Sequence, residues 1–209
     1  MGRHTTTRAN YLHKPEVAEQ KHATDARLSV PLESIVCTHE LARRPARSPD
    51  YQTETGALAS LSQALADSAG TILQTLAETI LATFQCGSAG VSILSADGSQ
   101  YHWAAVAGLW KPHTGLVSPR QFGPCGDVLD RNASLLFAHF ERRYHYLKWA
   151  TPLIDECLTV PMRVAGKPVG TIWAITHDDH RRFDSEDLRM LDSMSRFVSS
   201  AQRVVESLR

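Results

Sequence analysis

Cys157-Leu-Thr-Val-Pro-Met-Arg-Val164 and Val169-Gly-Thr-Ile-Trp-Ala-Ile175, joined by Ala165-Gly-Lys-Pro168, decide the fold class of this chain. Two short apolar runs rich in β-branched residues, bounded by a glycine-proline turn, read as a pair of antiparallel strands. Downstream the character changes at once. Asp184 is placed to cap a helix with its side chain, and Asp187 sits near the positive end of the helix dipole. Leu191, Met194, Val198, Ala201, Val205 and Leu208 then recur at three-four spacing, which reads as a narrow seam on a closing helix.

Upstream, Cys125 to Arg131 reads as a short helix and Leu135-Leu-Phe137 as a strand, with a polar aromatic stretch from His139 to Trp149. Before these, Ala89 to Leu94 and Tyr101 to Val106 flank Asp97-Gly98, a strong hairpin turn. A glycine- and proline-rich loop spans 108–123. Two helical stripes come first: Leu58, Leu61 and Leu65, then Ile72, Leu73, Leu76, Ile80, Leu81 and Phe84, with Cys86-Gly87 as the expected stop. Strands cluster in the middle and helices at the ends. That order predicts an α+β fold: a central antiparallel β-sheet with helices packed on one face and loop and short-helix segments covering the other.

Residues 1–49 show little periodicity and mix threonine, histidine, arginine and proline, so they are expected to form a flexible N-terminal arm. Ser34-Ile-Val-Cys37 is the one patch in it that could dock. Residues 50–209 are expected to form the folded domain, with terminal helices that could dimerise. The 22 basic residues equal the 22 acidic ones, and no predicted helix carries a basic stripe, so no nucleic-acid footprint appears. Four cysteines stand far apart without a CxxC pair, which argues against both a disulfide framework and a cysteine-based zinc site. No apolar run approaches the ~20 residues that span a bilayer. The expectation is a cytoplasmic protein with reduced thiols and no membrane association.

The order of these pieces resembles a GAF domain, the ligand-binding and dimerising module common in bacterial signalling proteins. The resemblance runs from about Ser60 to Leu208. It rests on Arg181-Arg-Phe-Asp-Ser-Glu-Asp-Leu-Arg-Met-Leu191, on Leu158-Thr-Val-Pro-Met162 with Pro168-Val-Gly-Thr-Ile172, and on Gly123-Pro-Cys-Gly126 before a short helix. It implies a small-molecule pocket on the open face of the sheet, without naming the molecule.

The ligand-contacting candidates are Trp103, Trp110, His113, Cys125, Arg131, His139, Tyr144 and Tyr146, drawn from an aromatic and basic cluster that also holds His102, Arg142 and Arg143. A flat or anionic ligand could use stacking and arginine forks there; the plainer alternative is that the tryptophans are core and the arginines solvated. Cys125 stands at a helix N-terminus, where the dipole can activate a thiol; the plainer alternative is a small buried residue in a tight turn. Its place matches the Val-Cys-Gly stretch of free methionine sulfoxide reductases, GAF-fold enzymes, so Cys125 is also the one catalytic candidate. The resolving thiols of those enzymes have no counterpart between Val91 and Pro124. No cysteine is followed by histidine, which disfavours a covalent bilin. His177-Asp-Asp-His180 reads as a polar turn rather than a metal site. The expected partners are a small ligand, a second copy of the chain and a signalling protein. The alternatives are the reductase and a pure dimerisation module with a degenerate pocket.

Overall fold

The structure, a computed structural model, describes residues 29–207. Helix α1 (Glu40–Arg43) is one turn in the N-terminal segment; α2 (Tyr51–Asp67) and α3 (Ile72–Phe84) follow as an antiparallel pair. Strands β1 (Ser88–Leu94), β2 (Gln100–Gly108) and β3 (Val117–Pro119) precede α4 (Pro124–Asp130) and β4 (Leu135–Ala138). Strands β5 (Glu156–Val164) and β6 (Lys167–Thr176) form the hairpin expected around Ala165-Gly166, and α5 (Ser185–Ser207) closes the chain. One six-stranded sheet results, in the order β3-β2-β1-β6-β5-β4, every neighbour antiparallel. Among the described residues no helix is long and apolar enough to cross a membrane.

Period-two alternation sorts the strands onto two faces. Val91, Leu158, Val160, Met162, Ile172 and Ala174 meet α2, α3 and α5 through Leu61, Leu76, Ile80, Phe84, Leu191, Met194 and Val198. Burial of each large side chain here contributes about 1.5–3 kcal/mol. Trp103, Cys157, Trp173 and Ile175 face the other way, under the loops. On β2 the register steps between Val91/Ala105 and Ser92/Trp103, a bulge that leaves Ala104 outside the pairing. The extra residue lets Trp103 and Val106 reach the same face although they stand at odd spacing.

Helix α5 begins as its sequence predicts. Asp184 Oδ1 accepts from the amides of Glu186 (2.9 Å) and Asp187 (3.0 Å), and Asp187 Oδ2 accepts in return from the Asp184 amide (2.9 Å). Helix α3 stops earlier than expected: Gln85, not a glycine, takes the left-handed conformation (φ 48°).

Two expectations change. Residues 29–49 pack on the domain rather than extending from it, while residues 1–28 of the expected arm lie outside the described residues. Ile35 and Leu41 are buried, and the Val36 region bridges Phe137 at the β4 edge, with Cys37 N donating to Leu136 O at 2.8 Å. Arg44 forks onto the buried Glu156 (2.5 and 2.9 Å) and also reaches Phe183 O, while Arg47 meets Asp184 (2.9 Å) and Asp187. The arginines that made this stretch look solvated are paired with carboxylates, and two apolar anchors suffice beside them. The second change concerns the seam: Leu191, Met194 and Val198 are fully buried against the chain's own sheet. Ala201 and Val205 follow on the last helical turns, and Leu208 lies outside the described residues.

Arg44→Ala should lower stability by roughly 2 kcal/mol, because Glu156 stays buried with only Arg182 to offset its charge. Urea unfolding measures this, and an unchanged midpoint would show the contact to be inert. Val198→Glu should unfold the chain, not merely dissociate it, as circular dichroism would report.

Candidate functional site

Alternation on β6 aims Thr171, Trp173 and Ile175 at the loop-covered face, and Gly90 of the adjacent strand makes room for the Trp173 ring. A Cβ at position 90 would stand 2.3 Å from that ring. The Trp173 indole donates to Ser92 Oγ at 3.0 Å. Trp103 lies 5.5 Å away at 59°, and Trp110 stacks on Trp103 at 5.6 Å with the planes only 12° apart. Phe140 meets Trp110 edge-on at 6.5 Å. Between these rings remains a cavity of about 20 Å³, space for a body the size of one water.

Of the eight residues singled out from the sequence, Trp103, Trp110, Cys125 and Tyr146 line this cavity. Tyr144 is buried behind it, where its hydroxyl donates to Asp127 and its ring contacts Phe122 at 5.3 Å. His113 flanks Trp110 from outside and touches Trp149 at 4.9 Å. Arg131 and His139 stand elsewhere: Arg131 pairs with Glu33 at 2.9 Å, and His139 Nδ1 bonds Ile154 O at 2.9 Å. Arg143 donates to Val30 O and lies over the Phe122 and Tyr144 rings. The basic half of the expected cluster therefore does not reach the cavity, and no charged side chain lines it.

Trp173, Phe140, Cys157, Thr159 and Ser118 also stand in the wall. None of these was singled out as a ligand contact in the sequence. Trp173 lies in a strand apolar on both faces, so no alternation marked the side it points to. Ser118 belongs to β3, a three-residue strand within what reads as a loop.

Cys125 sits in the first turn of α4, as expected, but it is not an activated thiol. It is buried, and desolvation pushes its pKa up. In a helix of two turns the dipole loses to burial. Cys157, the other thiol on this wall, is likewise pushed up by burial. The pair is poorly placed for a disulfide. Cys125 adjoins Thr171, whereas Cys157 pairs with Ile175, and four residues of strand between these span ~13 Å with Trp173 midway.

His177 also departs from its reading as a plain polar turn. Leu153 O can only accept, so the bond at 2.8 Å puts the proton on Nδ1 and leaves Nε2 to accept from Ser88 Oγ, also at 2.8 Å. Burial lowers the pKa of this imidazole, consistent with the neutral form.

Thiol alkylation tests the burial argument. The half-buried Cys37 and Cys86, each raised to about 11, should react slowly at neutral pH, and the buried Cys125 and Cys157 more slowly still. Peptide mapping after timed alkylation reads the order, and fastest labelling at Cys125 would restore it as a reactive thiol.

Comparison with known proteins agrees with this geometry. A family model described as GAF domain matches residues 66–201. Comparison with curated proteins yields no match. Among solved structures, the chain is similar to the GAF domain of a phosphoenolpyruvate-protein phosphotransferase from Coxiella burnetii (14% identity, TM-score 0.65, covering 75% of this chain and 96% of that one). It is also similar to free methionine-R-sulfoxide reductase from Neisseria meningitidis in complex with its substrate (15%, 0.64, 79% and 98%). A third similar structure is the GAF-B domain of DevS from Mycobacterium smegmatis (18%, 0.58, 68% and 98%). At these identities the likeness is one of fold alone, shared by GAF domains and by a reductase. The match over 66–201 settles the family: this chain belongs to the GAF domain family.

Proposed function

We propose that this chain is a sensory module: a small molecule binds in the cavity between the sheet and the loops, and the terminal helices pass the bound state to a signalling partner. The observation that carries this reading is the placement of the cavity. Its wall draws on β2, β3, α4, β5, β6 and the segments around Trp110 and Phe140, so one occupant would touch nearly every element of the loop-covered layer. The helices lie on the opposite face of the same sheet. An occupant preferring one loop arrangement would shift the population toward it, by no more than its differential affinity.

The reductase alternative has less support. Its nucleophile would be Cys125, a buried thiol with a raised pKa and no second thiol suitably placed. The four unpaired cysteines fit a reducing cytoplasm. A homodimer remains part of the reading, with its contact moved away from Leu191–Val198, which the sheet already uses. The outer face of α2, where most residues are exposed, is then the available surface among the described residues.

Thermal unfolding with indole, free methionine sulfoxide and cyclic GMP as probes tests the sensor reading. A probe that occupies the cavity at a hundredfold excess over its Kd should stabilise the fold by about 2.7 kcal/mol. No stabilisation by any of the three would favour the pure dimerisation module. Steady thioredoxin-coupled reduction of free methionine sulfoxide, abolished in Cys125→Ser, would favour the enzyme.

A further inference from the structure

The largest side chain in the cavity wall that no strand carries is Trp110. It stands on the segment after β2, at the start of a short turn over Lys111–His113, and it is 1% exposed. Its indole lies almost parallel on Trp103, in the manner of a flat ligand on an aromatic platform. Two hydrogen bonds retain it: its backbone amide donates to Ser88 Oγ at 3.0 Å, and its ring N–H donates to Pro152 O at 3.0 Å. The surface around this retaining point is apolar, since Leu109, Trp149 and Leu153 are all about half exposed. Leu109 adjoins Trp110, Leu153 follows the carbonyl that holds it, and Trp149 meets His113, which packs against the Trp110 ring.

Ser88 and His177 form the latch. His177 fixes its tautomer on Leu153 O, so the Ser88 hydroxyl donates to Nε2 and turns a lone pair to the Trp110 amide. Position 87 must be glycine for this, because a Cβ there would stand 2.4 Å from His177 Cδ2. The imidazole is 5.7 Å from the Trp110 ring and bonds the residue next to Pro152, so the latch holds both the segment bearing Trp110 and the segment that receives its indole.

From this arrangement we infer that Trp110 is a displaceable plug, occupying the site of a flat, uncharged, largely apolar ligand of about the size of indole. The inference rests on the reading of the cavity as a ligand site. The ligand stacks on Trp103 once the 109–116 segment swings outward, and the rings lose no stacking in the exchange. A wall without charged side chains gives a zwitterion or a phosphate nothing to pair with, and either would be desolvated at a loss. Apparent affinity is then the intrinsic affinity reduced by the fraction of molecules with the plug open. The Ser88 latch sets that fraction together with the backbone ties of Leu109 N to Gly87 O, Gly115 N to Trp103 O and Trp103 N to Leu116 O.

Indole serves as the probe, with the full chain titrated by calorimetry and followed by hydrogen exchange. The wild type should bind it, and saturation should speed exchange of the Trp110 amide and its neighbours through 116 while slowing exchange elsewhere around the cavity. Ser88→Ala should bind indole about fivefold tighter, since losing one hydrogen bond raises the open fraction by about that factor; a merely structural role for Ser88 would not strengthen binding. Binding to Trp110→Ala but not to the wild type would show a permanent core residue and overturn the plug. Indole binding without faster exchange over 109–116 would overturn it too, leaving the sensor reading standing. Tighter wild-type binding of free methionine sulfoxide or cyclic GMP would overturn the uncharged ligand class alone, whereas failure of all three probes would remove the sensor reading itself.

Discussion

A six-stranded antiparallel sheet buried on both faces must be covered twice, and in this chain only one face has long helices to do it. On that face α3 and α5, with α2 behind them, present aliphatic side chains at helical spacing, and a compact layer of leucine, isoleucine, methionine and valine suffices. The other face is covered mostly by irregular chain, with the two-turn α4 among it. Such segments direct few side chains inward per residue, so large ones must fill the space. Trp103, Trp110, Trp173, Phe122, Phe140 and Tyr144 do so, and their mutual packing is what narrows the cavity to about 20 Å³. Loop backbone also needs partners. Leu109 N donates to Gly87 O, Trp103 N to Leu116 O and Gly115 N to Trp103 O, which ties the covering segments to the sheet.

One end of the sheet carries a second organising feature. Glu156, Asp184 and Asp187 are buried carboxylates, shared among Arg44, Arg47, Arg181 and Arg182. These pairs join the N-terminal segment to β5 and to the first turn of α5. A buried carboxylate is tolerable only when paired, so the N-terminal segment belongs to the folded unit although it lies outside the matched 66–201 region. The turn after His177 runs into the same network through Arg181, whose guanidinium reaches Phe84 O and Asp187. The cavity latch and the start of α5 are thus separated by only a few residues of chain.

This layout bears on what a member of a widely used fold can do here. The chain shares its fold with GAF domains of a phosphotransferase and of DevS and with a reductase. Here the cavity is uncharged and the thiol on its wall is buried, an environment suited to recognising apolar surface and ill suited to holding a thiolate.

Local pattern in the sequence determined the α+β class, the strand pairs around Asp97-Gly98 and Ala165-Gly166, the capped start of the closing helix, and the family, because turn chemistry, capping and hydrophobic period act over a few residues. It also picked out Trp103, Trp110, Cys125 and Tyr146, since aromatic rings and a thiol are conspicuous in segments expected at a pocket. Tertiary structure alone decided the rest. Strand order, with β1 beside β6, brought Ser92 under Trp173 and Ser88 beside His177, pairs more than eighty residues apart. The bulge at Ala104 set which face Trp103 serves. Partner choice turned Arg131 toward Glu33, and Arg44 and Arg47 toward buried carboxylates. Burial decided between the two readings of Cys125, raising its pKa against the helix dipole, and claimed Leu191, Met194 and Val198 for the chain's own core. Each of these depends on what packs against a residue from far along the chain, and the energy of a charge, a thiol or an apolar stripe is set by that environment rather than by its neighbours in sequence.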